Sequence, residues 1–142
     1  MARRRNNRRF GPKCGDKAID WIFRRIIARL KGGKIKVYKV NDLRDPDDRR
    51  RGLAGRYLPK DKDEGILTNM VFLNYPGKVN PITEKNLLHE LLHDLFDGWV
   101  GEPAILSMEE VVWNKLTPEQ KKLLKSFIPK HYVKLKPKDL EK

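Results

Sequence analysis

Two histidines and a glutamate within five residues, His89, Glu90 and His93, have the types and the spacing for metal chemistry. Residues four apart in an α-helix share a face, so both imidazoles can reach one metal ion. Glu90 would lie beside that metal, where its carboxylate can accept a proton from a bound water molecule. The pattern therefore predicts a Zn²⁺ site with Glu90 as general base. The simpler alternative is a pair of ordinary helix histidines, because so short a pattern also occurs by chance.

The residues around this motif follow the pattern of a buried amphipathic helix. Thr83 is the predicted N-cap, and Gly98 is the predicted stop. The apolar residues between them recur with a period of 3.6: Leu87, Leu88, Leu91, Leu92, Leu95 and Phe96. A helix of this kind can hold two ligands at a fixed separation.

A catalytic zinc ion needs a third protein ligand and one open position. The candidates after the motif are Asp94, Asp97, Glu102, Glu109, Glu110 and His131. Glu109 is the predicted ligand, because it shares a face with Val112 at the start of a helix predicted over residues 108–116. Glu110 is the alternative ligand, although its position three residues after Ser107 fits a capping box. Both glutamates would also suit the first turn of a helix that holds no metal.

Asp97 is a predicted supporting residue of the same site. It follows His93 by four residues, so its carboxylate could accept the second imidazole N–H and hold the ring in its metal-binding tautomer. The alternative is a solvated carboxylate without a partner, which is slightly destabilising because it opposes the helix dipole.

The remaining elements predict a single α+β domain. Apolar spacing between Ile19 and Leu30 predicts an N-terminal helix. Three short segments have the composition of strands, namely residues 34–40, 53–58 and 66–74. The polar stretch 59–65 suits a hairpin between the last two strands. Another helix is predicted over residues 118–127, with Thr117 and Gln120 as its capping box.

The order N-terminal helix, three-stranded antiparallel or mixed sheet, motif helix and C-terminal helices resembles the minimal zincin fold. Residues 87–96 followed by residues 107–112 are similar to small metallopeptidase-like proteins of phages and prophages. Those proteins are similar in turn to ImmA/IrrE and SprT-like peptidases. The resemblance covers residues 53–116 and implies a zinc metallopeptidase that cleaves proteins or peptides. It also implies that strand 66–74 is an open sheet edge on which an extended substrate lies.

Length and composition are consistent with this interpretation. The chain has 142 residues and one cysteine, which excludes an intramolecular disulfide and fits a reducing compartment. Residues 1–13 are predicted to be a flexible basic arm, 14–136 a single zincin-like domain and 137–142 a tail. No apolar run approaches the roughly 18 residues of a membrane span, and no apolar segment follows the basic start as in a secretory signal. We therefore expect a cytoplasmic protein, of viral origin if the resemblance to phage proteins holds.

The positive charge of the chain is concentrated in its first part. Residues 1–60 contain 20 Lys and Arg against 6 Asp and Glu, whereas residues 61–142 contain 12 against 13. Two clusters could contact nucleic acid without sequence specificity: Arg3, Arg4, Arg5, Arg8 and Arg9, and then Arg49, Arg50 and Arg51. The alternative function is therefore a basic nucleic-acid- or virion-associated binding protein with a structural or vestigial zinc site. Glu90 favours the peptidase, because a structural site needs no base.

Overall fold

The computed structural model describes residues 11–40, 43–44, 47–48, 50, 52–75, 79–96 and 99–133. Within these residues the chain forms four α-helices and three strands: α1 (Lys17–Lys31), β1 (Ile35–Val40), β2 (Gly55–Leu58), β3 (Asn69–Asn74), α2 (Pro81–Leu95), α3 (Glu102–Lys115) and α4 (Pro118–Lys125). A short 3-10 helix, Lys62–Glu64, lies between β2 and β3. The predicted α+β class and the small three-stranded sheet are confirmed. None of these helices combines the length and the apolar character that a membrane span needs.

The sheet is mixed, with strand order β1-β3-β2. β3 pairs with β1 in parallel and with β2 antiparallel, so the prediction that strand 66–74 forms an open edge is wrong. The physical reason is burial: Val71, Phe72 and Leu73 are all buried, and a continuous apolar run of this kind suits a central strand covered on both faces. The edge strand next to β3 on the side of the motif helix is β2.

The two faces of the sheet are covered differently. Val71 and Leu73 face a core to which α1 contributes Phe23 and Ile27. The motif helix α2 lies in the same core through four buried leucines: Leu87, Leu88, Leu91 and Leu92. Phe72 faces the other way and packs with Val40, Leu43 and Leu58 in a smaller cluster. Because α2 is enclosed by the sheet and the other helices, its position is fixed from several sides.

The motif helix begins earlier than the sequence predicts. Asn80 is its N-cap and accepts a hydrogen bond from the Thr83 backbone N–H at 3.0 Å. The Thr83 hydroxyl accepts one from the Asn80 backbone N–H in return, at 3.4 Å, and Pro81 occupies the first turn, where no N–H is needed. Thr83 is thus not the N-cap but the third residue of the helix, where it completes a capping box with Asn80. The helix ends at Leu95, and the predicted stop, Gly98, lies outside the described residues.

α3 departs most from its predicted limits. It starts at Glu102 and not at residue 108, so most of the connection expected over residues 98–106 is helical. Gly101 is the N-cap, and Pro103 lies in the first turn, where proline removes no helical hydrogen bond. The capping box of α4 is confirmed, with the Gln120 N–H donating to the Thr117 hydroxyl at 3.1 Å and the Thr117 N–H donating to the Gln120 carbonyl at 2.9 Å.

A buried carboxylate, Asp20, joins the start of α1 to α4. It accepts hydrogen bonds from the backbone N–H groups of Cys14 at 2.8 Å and Gly15 at 3.0 Å, and from the Gln120 side-chain amide at 3.1 Å. Burial alone would raise the pKa of Asp20, but these hydrogen bonds outweigh it and hold the pKa below its usual value. The charged form of Asp20 is therefore the one that the fold stabilises.

We predict that Asp20→Asn lowers the free energy of unfolding at neutral pH by about 1–3 kcal/mol, because amide donors replace part of an acceptor-only group. A lowered folded-state pKa means that the contribution of Asp20 is complete above about pH 4 and is lost as the pH falls through the folded-state value. Urea denaturation should therefore show the two proteins converging below pH 4. Exposed Asp63→Asn is the control, and a difference that stays constant with pH would contradict this explanation.

Candidate metal centre

His89 and His93 lie on the same face of α2, as their spacing predicts. Their Nε2 atoms are 3.2 Å apart, and the ring centroids are separated by 4.9 Å. Leu88, Leu91 and Leu92 hold the opposite side of the helix in the core. Because the leucines fix the rotation of α2 about its axis, both imidazoles point towards α3.

Glu102, in the first turn of α3, brings its carboxylate to both rings. Its Oε1 lies 2.8 Å from Nε2 of His89, and its Oε2 lies 2.7 Å from Nε2 of His93. The donor atoms of these three side chains all lie within 4.8 Å of one another. In the part of the chain that the structure describes, this is the one group of three metal-ligating side chains that converge in this way.

This donor set fits a divalent metal ion of the zinc type. Two histidines and a glutamate are a known ligand set of catalytic zinc, in which the fourth position stays open. Tetrahedral zinc with Zn–N distances of about 2.0–2.1 Å places two ligand nitrogens roughly 3.3 Å apart. The observed Nε2–Nε2 distance of 3.2 Å is close to that separation.

Glu109, the predicted third ligand, contacts the other side of the His89 ring. Its Oε1 lies 3.0 Å from Nδ1 of His89, and its Oε2 lies 3.8 Å from the ammonium group of Lys85. A carboxylate in this position accepts a hydrogen bond from the Nδ1–H group and leaves Nε2 free to bind a metal. Glu102 is thus the carboxylate that meets the two Nε2 atoms, and Glu109 contacts Nδ1 of His89 instead. Which of the two glutamates is a metal ligand stays a prediction.

The early start of α3 explains why Glu102, and not Glu109, lies against the two Nε2 atoms. Glu102 and Glu109 are seven residues apart, which is about two helical turns, so they share the face of α3 that packs on α2. Glu110 is one residue further round the helix, and its side chain is 59% exposed and pairs with Lys85. Its predicted capping role is wrong, because Ser107 lies inside α3 and not at its start. Asp97 lies outside the described residues, so its predicted contact with His93 stays a prediction.

Glu90 is buried beside the two histidines, with 7% of its surface exposed. Burial raises the pKa of its carboxyl group to about 8, and the negative charges of Glu102 and Glu109 act in the same direction. Gly55 of β2 makes room for this side chain, since a Cβ atom there would lie 3.1 Å from Oε2 and 3.2 Å from Cγ of Glu90. A cation at the histidine nitrogens would favour the ionised form of the carboxyl group.

A cavity of about 260 Å³ opens onto these groups. Its lining residues come from three elements: Gly55, Arg56 and Tyr57 of β2, Glu102 of α3, and His89, Glu90 and His93 of α2. The edge strand of the sheet therefore borders the site directly, whereas the central strand β3 does not line the cavity.

Asp94 has a role that the sequence did not reveal. Its side chain is only 2% exposed. The carboxylate accepts hydrogen bonds from the Asn69 side-chain amide at 2.8 Å and from the Tyr57 hydroxyl at 3.2 Å. Arg29 donates two more, from Nε and, at 3.0 Å, from Nη2. Its hydrogen bond to Arg29 raises the pKa of that guanidinium. From the sequence, Asp94 is only a carboxylate near the C-terminus of a helix, where it opposes the helix dipole. That unfavourable position was the one signal in the sequence that Asp94 would need a positively charged or hydrogen-bonding partner.

The arginines proposed for nucleic-acid contact are mostly not described by the structure. Arg3, Arg4, Arg5, Arg8, Arg9, Arg49 and Arg51 lie outside the described residues. Arg50 is described and exposed, with its Nε atom 3.7 Å from a carboxylate oxygen of Asp48. Their contact with nucleic acid stays a prediction.

No protein-family model matches the chain, and comparison with curated proteins and with solved structures gave no match either. The resemblance to phage-type zincins therefore depends on the motif residues and on the order of the elements. The geometry of the site must support any function by itself.

We predict different effects for the two glutamates that contact His89. Glu102→Ala should abolish stoichiometric zinc binding, because two histidines alone hold the metal weakly. Glu109→Ala should leave a site that still saturates with zinc but binds it about 10–100-fold more weakly, since only the orientation of one ring is affected. Competition with a chromophoric chelator measures both affinities.

Glu110→Ala is the matched control, because it removes an exposed glutamate from the same helix, and it should bind zinc as the unmodified protein does. Retention of tight zinc binding in Glu102→Ala together with its loss in Glu109→Ala would restore Glu109 as the ligand.

Proposed function

We propose that the protein is a zinc-dependent peptidase in which His89, His93 and Glu102 bind the metal and Glu90 is the general base. The observation that carries the proposal is the convergence of Glu102 on both Nε2 atoms, at 2.8 and 2.7 Å, with the Glu90 carboxylate lining the same cavity. A site that only stabilised the fold would need the three ligands but no buried carboxylate beside them.

The charges around the histidines support a bound cation. Three acidic side chains, Glu90, Glu102 and Glu109, lie at or next to the two imidazoles. Glu90 is 7% exposed and the Glu109 side chain 12%, whereas the Glu102 side chain is 54% exposed. Keeping Glu90 ionised beside the other two carboxylates is costly unless a positive charge offsets them. Lys85 is near Glu109 but also pairs with Glu110, so a divalent ion at the Nε2 atoms is the better source of that charge.

In the proposed mechanism each residue of the site has a separate role. When bound, zinc would supply a water molecule with its pKa lowered to about 7 and would polarise a peptide carbonyl. Glu90 accepts the proton of the attacking water on a carboxylate oxygen and passes it to the nitrogen of the leaving amine. Glu109 holds the His89 ring through Nδ1, and the burial of Glu90 limits the water that reaches its carboxyl group.

β2 is the strand that would align the substrate. It is an edge strand of the sheet, and its residues Gly55, Arg56 and Tyr57 line the same cavity as the histidines. An extended peptide that adds to this edge through main-chain hydrogen bonds would bring a peptide carbonyl close to the histidines. Recognition through main-chain atoms gives little selectivity for side chains, so a broad range of unfolded or flexible protein segments is the expected substrate class.

Glu90→Gln tests the proposed chemistry. We expect the variant to bind zinc stoichiometrically but to cleave a mixed peptide library roughly 10²–10⁴-fold more slowly, because the amide cannot accept the proton. Mass spectrometry of the products and elemental analysis of the metal give the two readouts. Glu84→Gln makes the same chemical change in the same helix away from the cavity, and it should leave both readouts unchanged. Cleavage at the same rate in Glu90→Gln would exclude the proposed base, and absence of cleavage by the zinc-loaded unmodified protein would favour a binding protein.

Gly55→Ala tests how the base is held in place. The added methyl group would lie 3.1 Å from Oε2 of Glu90 and 3.3 Å from the backbone oxygen of Phe72, so we expect the carboxylate to shift. A shift of well under 1 Å should lower kcat on the order of tenfold while zinc binding stays intact. Gly52→Ala is the matched control, because the nearest atom to its methyl group is the Leu43 oxygen at 4.0 Å. Unchanged kcat in Gly55→Ala would show that the close approach of Gly55 does not position Glu90.

A further inference from the structure

The exposed side of α1 is strongly basic. α1 buries Ile19, Phe23, Ile26 and Ile27 in the core, and its one acidic residue, Asp20, is also buried. Arg25 and Arg29 follow each other by one turn on the other side and so share a face. The exposed side of α1 thus presents cations without a carboxylate of its own.

A glycine turn adds a third cation to this face. Gly33 has a φ of +72°, a conformation that glycine adopts at little cost. The turn lets the Lys34 backbone N–H donate to the Arg29 carbonyl at 3.0 Å. Lys34 therefore lies beside the last turn of α1, and Arg25, Arg29 and Lys34 together form what we name the basic face.

The basic face borders a cavity of about 400 Å³ that also contacts Asp94 and Leu95 of α2. Asp94 balances one of the three positive charges, through Nε and Nη2 of Arg29. A guanidinium has five N–H donors, so Arg29 keeps three N–H bonds beyond these two. In the described part of the chain neither Arg25 nor Lys34 forms an ion pair.

An aromatic ring extends the basic face along the helix. Trp21 lies one turn before Arg25, is 46% exposed, and has the Arg25 guanidinium 5.4 Å from its ring centroid. Cations beside an exposed aromatic ring are the elements with which proteins bind a nucleic-acid strand, through phosphates and stacked bases respectively.

We propose that the basic face, with Trp21, is a docking surface for single-stranded nucleic acid, with phosphates at Arg25, Arg29 and Lys34. This surface is distinct from the arginine clusters at residues 3–9 and 49–51, and it does not depend on the proposed peptidase activity. Nucleic acid fits better than a membrane surface, because an amphipathic helix binds lipid by inserting its apolar side. In α1 that side is already buried in the core.

The test compares two double charge reversals in the full chain. Arg25→Glu/Lys34→Glu alters the basic face and spares Arg29, which holds Asp94. Lys122→Glu/Lys130→Glu changes the net charge equally at positions elsewhere on the chain. Fluorescence anisotropy with labelled oligothymidylate, repeated over a range of salt concentrations, measures affinity and its salt dependence. Circular dichroism and the midpoint of thermal unfolding establish that both variants are folded.

We expect the basic-face variant to bind at least tenfold more weakly than the unmodified protein at low salt and the control variant to weaken by less than about threefold. The slope of log affinity against log salt should become shallower by roughly 0.7 for each phosphate that the variant no longer neutralises. Equal weakening in the two variants would mean that only net charge matters and would overturn the proposal. Tighter binding to phosphatidylserine vesicles than to the oligonucleotide, abolished in the basic-face variant, would also overturn it and assign the surface to membranes.

Discussion

The arrangement of the site depends most on the hydrogen bonds that the buried carboxylate of Asp94 accepts. It lies one residue after His93 and is bound by Arg29 of α1, Tyr57 of β2 and Asn69 of β3. A buried charge is tolerated only when it is paired and hydrogen-bonded, and breaking such a pair costs roughly 3–5 kcal/mol, less where one partner is partly exposed as Arg29 is. The end of the motif helix is therefore held against three other elements.

With α2 held in this way, the candidate metal centre needs a carboxylate from only one more element. α3 supplies it, because its first turn brings Glu102 to both imidazoles and a residue two turns later, Glu109, reaches the far side of His89. β2 completes the enclosure, since the absence of a side chain at Gly55 leaves space for Glu90. The proposed base, ligands and substrate-aligning strand thus come from three elements whose relative positions the core and the Asp94 network determine.

What the sequence could predict is what local spacing determines. The shared face of His89 and His93 and the α+β order of elements follow from periodicities of 3.6 and 2. Which glutamate meets the two Nε2 atoms depends on where α3 starts. Gly101 has no capping side chain there, and the only signal in the sequence was a proline in the first turn. Strand order and the partners of Asp94 depend on contacts between residues up to 65 positions apart, which no local pattern encodes.

Anomalous diffraction at the zinc absorption edge, from crystals of the protein supplied with zinc, tests the proposed metal centre most directly. We predict one strong peak about 2 Å from Nε2 of His89 and Nε2 of His93, with a carboxylate oxygen of Glu102 as the third protein ligand. Glu109 should remain on Nδ1 of His89 without contacting the metal. No peak between the two histidines, or a peak bound by Glu109 in place of Glu102, would contradict the proposed centre.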